Sequence, residues 1–443
     1  MAIWTGPDVR PSIADLVRFR REPHAFLLDL ARRHGPTFRY GSGSLGFTFG
    51  SAPEHVQHVL VDHQKHFTKD TFQYRFLSEV TGTGLLTADG QTWRERRRIQ
   101  QPAFGRSRLH HVVDSTNRSV DLMLERWQQT NVSQVNIADE MFRISLDIVM
   151  DVLFGVRIAD DAPRIVEATL GVLHHLIDRS RSIPGLPSWV HPAKHLAYRR
   201  SLAVLDGLIT DVVSRWEPQD GEDDGTLLDL LLRAQSDGRI TAEGVRNEMM
   251  TMVIAGHETV ASALTWAWRL LGDHPIVAEE LAKEAAADQQ ARRTLSGVST
   301  LRVARNVISE AMRLYPPAWI VTRKCVESYD DPSGLAKGTL VMLSPYVTHR
   351  LDQYWPEPER FDPSRFDAPV APGTWYPFGA GQRLCIGRDF ALVEAAIILS
   401  AVASTYRLRP VHARSQEYAG VTLQPEGGVV VSLERRPGPN VGP

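Results

Sequence analysis

The sequence predicts a mainly α-helical protein with small β-sheets, folded as a single domain over residues 1–443. Three observations carry this. Segments such as PEHVQHVLV and VDLMLERWQ repeat apolar residues at i, i+3 and i+4, the spacing of an amphipathic helix. Period-two alternation is confined to short runs between Gly- or Pro-rich turns, which makes strands few and brief. The motifs with chemical content are spread from Trp93 to Gly387, so a site built from them needs one interwoven unit.

Composition bounds the function. The chain is 43% hydrophobic and 23% charged, as globular proteins are. A net charge of −2 gives no basic excess for nucleic acid. Two cysteines, Cys325 and Cys385, exclude a disulfide framework and fit a reducing cytoplasm. The N-terminus, MAIWTGPDVRPSIADLVRFRREPHAF, lacks the basic and apolar regions of a secretory signal. The most apolar stretch, Met249 to Leu271, carries His257, Glu258 and Arg269. Each charge would cost ~2.5–3.5 kcal/mol at a bilayer centre, so this stretch reads as a buried helix and not a membrane anchor.

In chain order, a short helix is expected near Ala25–His34, then a hairpin over Thr37–Pro53, where apolar residues alternate across Gly-rich turns. Residues 53 to about 230 read as mostly helical. The Gly- and Thr-rich loop TGTGLLTADG before Trp93 has the composition of loops that sit over sites. The acidic run EPQDGEDDGT, residues 217–226, reads as a solvated linker. A central helix runs from Thr241, its N-cap, to Gly272. A helix over Thr300–Leu314 stops at Pro316-Pro317. Strands over Trp319–Val326 and Thr339–Leu343, a helix over Arg388–Tyr406 and a C-terminal hairpin in VTLQPEGGVVVSLERR complete the reading. There is no internal repeat.

The cysteines differ in context. Cys385 ends the Gly-rich segment FGAGQRLCIG (Phe378–Gly387) and immediately precedes an apolar helix. Its glycines allow close approach of backbone to a flat cofactor. N–H groups at the helix start stabilise a thiolate, and a thiolate ligand pushes electron density into haem iron. Cys325 has no such context and is assigned to structure.

This segment resembles the haem-thiolate signature of the cytochrome P450 family, with Phe378, Gly381, Cys385 and Gly387 in the signature places and Arg383 as the basic residue two before the Cys. Other motifs follow in the family's order. Alone, Glu310 and Arg313 at i, i+3 would be a surface pair worth a fraction of a kcal/mol; the resemblance implies a buried pair joined by a downstream arginine, which PEPERFDPSRF supplies as Arg360. In AGHET (Ala255–Thr259), three polar residues inside an apolar helix need partners. The resemblance makes Thr259 and Glu258 the alcohol–acid pair that manages protons, with Ala255 and Gly256 giving room beside the haem. Trp93 and Arg97 share a helical face and, with Arg323, Arg383 and the weaker candidate His349, resemble haem propionate partners. Phe378 and Gly379 would lie against the haem, and Arg94 and Arg98 would face solvent.

The resemblance covers nearly the whole chain and implies a triangular helical prism around haem b, with Cys385 as iron ligand. The implied activity is a monooxygenase that inserts one atom of dioxygen into a small apolar substrate, a fatty acid, terpenoid or polyketide. The AGHET and LQPEG segments look most like the soluble fatty-acid hydroxylase branch. The implied pocket draws on Phe72, Phe76, Leu77, Leu85, Leu86, Ala255, Trp319, Ile320 and Val421. The chain ends soon after the helix that follows Cys385, so no fused reductase is expected. Electrons would come from NAD(P)H through a separate ferredoxin and ferredoxin reductase, or a flavodoxin, to a cytoplasmic monomer. The alternatives are a peroxygenase, which needs no proton relay, and a non-catalytic haem sensor or electron carrier.

Overall fold

Apolar stripes define the helices here, and in two of those named below, those begun by Asn136 and Thr241, a side chain satisfies one of the first free N–H groups. In this computed structural model, which describes residues 3–41, 46–158, 161–181, 192–217, 225–326 and 335–437, the longest helix begins as the sequence predicts. The Thr241 hydroxyl accepts from the Gly244 N–H at 3.1 Å, an N-cap worth about 1 kcal/mol. The helices used below are α1 (Pro23–His34), α2 (Phe72–Thr81), α3 (Gly90–Gln100), α4 (Leu109–Gln129), α5 (Ile137–Phe154), α6 (Ala162–Ser180), α7 (Ala242–Asp273), α8 (Arg302–Leu314) and α9 (Arg388–Thr405). The central helix α7 is buried along most of its length, packed on α5 and α8 and touching α9. The Trp266 indole stacks on the Tyr315 ring at 3.8 Å, which fixes the end of α8 against it.

The strands are β1 (Asp8–Val9), β2 (Thr37–Tyr40), β3 (Phe47–Gly50), β4 (Phe67–Thr68), β5 (Gln134–Asn136), β6 (Val321–Cys325), β7 (Leu340–Leu343), β8 (Tyr406–Pro410), β9 (Glu417–Ala419), β10 (Leu423–Pro425) and β11 (Val430–Arg435). They form sheets of order β1-β2-β3-β7-β6-β4, β5-β11-β8 and β10-β9. The expected hairpin is present, with Thr37 opposite Gly50 and Tyr40 opposite Phe47; its residues 42–45 lie outside the described residues, as do residues 218–224 of the acidic run. Cys325 is fully buried in β6.

The C-terminal tail is not a self-contained hairpin: β10 pairs with β9, while β11 pairs with β5 and β8. The cause is local. Gly428, at φ +77, packs so closely on the Asn136 side chain that a Cβ would lie 2.4 Å from it, and Asn136 Oδ1 takes the Val429 N–H at 3.0 Å. The chain is thereby steered to β5. A helix over Ile13–Arg21, ahead of the first helix expected from the sequence, forms on the Ser12–Asp15 capping box, a signal present in the sequence.

Glu310 and Arg313 are both fully buried on α8. Arg313 donates from Nε to Glu310 Oε2 at 2.6 Å and from Nη2 to Oε1 at 2.8 Å. Its remaining donors go to the carbonyls of His349, Pro358 and Arg360, so all five guanidinium N–H groups are used. Such completeness is what makes a buried ion pair tolerable. The predicted third member, Arg360, contributes only that backbone carbonyl: its side chain is exposed and pairs with Glu357. Arg365 takes the place instead, with Nε 3.5 Å from Glu310 Oε1. His349 is also reassigned. Its Nδ1 donates to the Arg313 carbonyl and its Nε2 accepts the Tyr376 N–H, a neutral tautomer, and burial pushes its pKa well down. Both nitrogens are spent on this scaffold.

Removing one partner of the pair strands the other. Glu310→Ala should therefore cost about 3–5 kcal/mol of stability, whereas Arg360→Ala should fall within ~0–1 kcal/mol. Arg365→Ala should lie between them, as measured by chemical unfolding of the three variants side by side.

Candidate functional site

A cavity of about 340 Å³ opens between α7 and the Gly-rich loop that leads into α9, and Cys385 lies on its wall. The loop is shaped by backbone geometry only glycine adopts without strain. Gly381, at φ +66, brings the loop so near residues 58–62 that a Cβ would stand 1.8 Å from the Leu60 carbonyl oxygen. The Cys385 N–H donates to the Phe378 carbonyl at 3.0 Å. Cys385 keeps accessible surface although it sits deep in the fold, because the space it faces is the cavity. Burial pushes its thiol pKa up; the Gly387 N–H and the charges of Arg97 and Arg388 oppose that shift.

Trp93, Arg97, Arg323, Arg383, Phe378 and Gly379 all line this cavity, together with Lys69. The Arg383 guanidinium lies 3.9 Å over the Trp93 ring and bonds the Ala88 carbonyl and Asp89. Arg97 reaches the Leu384 carbonyl at 3.1 Å. Arg323 donates to the Tyr74 hydroxyl and the Thr322 carbonyl. Lys69 donates to the Leu86 carbonyl at 2.7 Å and sits over the Tyr74 ring. Burial, then the charges of Arg323 and Arg383, push the Lys69 amine well down. Among the described residues, the one acidic side chain on the cavity wall is Glu394, pushed up to about 8 by burial and neutral at neutral pH. The wall thus carries a positive excess with no carboxylate of its own.

On the α7 side, Ala255, Gly256 and Thr259 line the cavity. The Thr259 hydroxyl donates back to the Ala255 carbonyl at 2.9 Å, as a threonine inside a helix does. Glu258 does not line it. It is buried, with its carboxylate turned to Thr422 and Gln424 at 2.7 and 2.8 Å. Burial pushes it up to about 7 against the pull of those two donors. His257 is buried on another side, its Nδ1 on the Val253 carbonyl, and burial pushes it down to about 4.

Of the expected pocket residues, Leu85, Leu86 and Ala255 line the cavity, and Phe72, Phe76, Leu77, Trp319, Ile320 and Val421 do not. Helix α2 explains the first part. Tyr74, Leu77 and Thr81, at i, i+3 and i+7, form its buried face, which leaves Phe72 46% exposed and gives Tyr74 the place on the cavity wall. Trp319 turns away to the Gly420 carbonyl at 3.1 Å and packs with Ile320 in a separate cluster beside Tyr346. Arg94 and Arg98 are exposed, as expected. Sequence reasoning missed Lys69, Tyr74, Thr251 and Met252. The α2 periodicity could have indicated Tyr74; nothing in the spacing around Lys69 could have.

The comparisons with known proteins agree. The sequence model described as Cytochrome P450 matches residues 5–430. The chain belongs to the cytochrome P450 family. It is 31% identical over 426 residues to cyclooctatin synthase of Streptomyces melanosporofaciens, covering 92% of this chain and 90% of that protein. It is 27% identical to pentalenene oxygenase of Streptomyces avermitilis, covering 91% of each. Among solved structures, CYP175A1 of Thermus thermophilus superposes with a TM-score of 0.78 at 30% identity, covering 96% of this chain and 99% of that one. The fold is therefore that of the P450 family, and the protein is a haem-thiolate monooxygenase. P450 proteins carry haem and generally take electrons from redox partners. No helix among the described residues is long and apolar enough to cross a membrane.

The residues present fit a haem. The cavity combines a cysteine side chain open to it, apolar walls and a cationic excess that its own acids do not neutralise, which the propionates of haem would balance. Because Lys69 and Arg383 crowd each other, replacing one cation relieves repulsion while removing a partner. We therefore expect Lys69→Met to retain haem, and Arg383→Leu, which also loses the Trp93 and Ala88 contacts, to lose it at least tenfold faster in transfer to apomyoglobin.

Proposed function

We propose that this protein hydroxylates a terpenoid hydrocarbon skeleton, using dioxygen and electrons passed from NAD(P)H through a separate ferredoxin and its reductase or a flavodoxin. The observation that carries the substrate class is the apolar share of the cavity wall: Leu85, Leu86, Val149, Met252, Val260 and Val321 line it together with Ala255. A pocket with few polar groups suits a ligand held by shape and apolar contact. The cations on the wall lie with Trp93 and Tyr74, and the haem propionates would take their remaining donors, so a fatty-acid carboxylate would find no cation set aside for it. Similarity to cyclooctatin synthase and pentalenene oxygenase supports the same class and turns the reading away from fatty acids.

Bound haem would supply dioxygen activation and transfer of one oxygen atom, the other leaving as water. The chain's own part is to hold, shield and protonate. Cys385 would be the iron ligand, its thiolate favoured by the Gly387 N–H and by Arg97. Trp93, Arg97, Arg323, Arg383 and Lys69 would hold the propionates, a task suited to planar, always-charged guanidinium groups. Phe378 and Gly379 would pack against the ring. On the opposite side, Ala255 and Gly256 leave space. The Thr259 hydroxyl, anchored on the Ala255 carbonyl, can order a water for proton delivery, and Glu258, poised near neutral pH, can supply the proton. Ordered proton delivery is worth roughly 10²–10⁴ in rate for such steps.

The test is spectral and then catalytic. Polycyclic terpene hydrocarbons should shift the haem to high spin at micromolar concentration, and fatty acids should not; a shift given by fatty acids alone would remove the proposed class. The reduced carbon-monoxide adduct should carry the red-shifted thiolate band in the parent protein and lose it in Cys385→Ala. Thr259→Ala should keep substrate affinity while product formed per NAD(P)H falls at least tenfold, with hydrogen peroxide released instead; equal coupling in the two proteins would remove Thr259 from the relay.

A further inference from the structure

Glu258 is held by a closed triangle of neutral side chains that the proton-delivery reading does not use. Thr422 Oγ1 donates to Glu258 Oε1 at 2.7 Å, Gln424 Nε2 donates to the same oxygen at 2.8 Å, and Gln424 Nε2 also donates to Thr422 Oγ1 at 2.9 Å. The hydroxyl has one hydrogen and the amide two, and these three bonds consume them all. Both donors converge on one carboxyl oxygen.

We propose that Thr422 and Gln424 are positioning residues for Glu258: they fix Oε1, so that the proton this acid gives up is carried on Oε2. The inference rests on the reading of Glu258 as the proton-handling acid. An Oε1 that accepts two hydrogen bonds has no lone pair left for a proton unless a donor is expelled. The acid can therefore release H⁺ from Oε2 to a water, becoming a carboxylate, and regain it, with the triangle intact in both states.

The triangle is itself anchored. Leu423, between its two members, presents its carbonyl to Ser262 Oγ and Trp266 Nε1 on α7 at 2.7 and 2.9 Å. Its N–H is bonded to the Pro317 carbonyl. The β9–β10 turn is thereby held to the same helix that carries Glu258, one and two turns further along.

The surroundings leave the two donors in control. Burial raises the pKa of Glu258, and Thr422 and Gln424, both uncharged, are the groups that lower it. On its own helix, His257 is held neutral. Across the turn, burial raises Tyr418, so it stays neutral, and Arg181, Asp178, Glu426 and, least of these, Glu258 also act on it. The His174 ring meets Tyr418 edge-on.

The experiment uses the haem-loaded protein and an infrared pH titration of the buried carboxyl band, assigned by its loss in Glu258→Gln. Gln424→Leu and Thr422→Val should each move the midpoint up by about one unit, a tenfold tighter hold on the proton. The pH optimum of product formed per NAD(P)H should move up with it, substrate affinity by spin-state titration should stay within twofold, and Thr422→Ser should restore the parent midpoint. A midpoint unmoved in both Gln424→Leu and Thr422→Val overturns the clamp alone, provided Glu258→Gln has collapsed coupling. If Glu258→Gln leaves coupling intact, the reading of Glu258 as the acid falls, and this inference with it.

Discussion

Four cationic side chains brought into the interior around one cysteine set the terms for much of this fold. Lys69, Arg97, Arg323 and Arg383 line the cavity, and burying an unpaired charge is among the most expensive things a chain can do. Each is therefore approached by an acceptor distant from it in the sequence. Leu86 and Ala88 come from the loop before α3, Leu384 from the Cys385 loop, and Tyr74 from α2. The loop before α3 is fixed from behind as well: the Leu85 N–H is taken by Glu248, which also accepts from Gln100. Because the acceptors come from separate elements, those elements cannot drift apart without stranding a charge. The cohesion of these elements follows from this electrostatic closure as much as from the shared apolar core.

The second buried ionic knot, Glu310 with Arg313, works differently. It is complete without any occupant of the cavity, since all five guanidinium N–H groups have partners. The cavity cations retain a net excess that awaits an anionic partner. One network makes the scaffold, and the other makes the scaffold selective for what it binds.

How much of this the sequence disclosed depends on whether a residue's role is set by local spacing. Thr241 as N-cap, the i, i+3 pair Glu310–Arg313 and the Gly-rich approach to Cys385 are local, and each was legible. Arg360 lies in irregular backbone and Arg365 in the short 3-10 helix Pro363–Phe366 just after it, and only the path of the backbone decides that Arg365 faces Glu310 while Arg360 turns to solvent. The pocket was harder for the same reason. Phe72 and Trp319 are large and apolar, but the rotation of α2 about its axis and the pull of the Gly420 carbonyl on the Trp319 indole direct them elsewhere. Lys69 was invisible because a lysine's ordinary place is the surface, and its burial here is set by partners distant in sequence.

The central helix shows how the two kinds of information meet. Its polar triplet His257, Glu258 and Thr259 occupies successive positions, about 100° apart around the axis, so no two can face the same way. The structure gives each its own environment. Thr259 faces the cavity, Glu258 faces the β9–β10 turn, and His257 is packed against Phe142 of α5 and kept neutral. A carboxyl placed directly in an apolar cavity would be protonated and inert or, if ionised, would repel an apolar substrate. Held one position aside, with neutral donors in place of a cation, it is raised only to about 7. An arginine in the place of Gln424 would hold the carboxylate ionised and leave no proton to give. The uncharged partners are therefore what let an acid buried in this helix act as one.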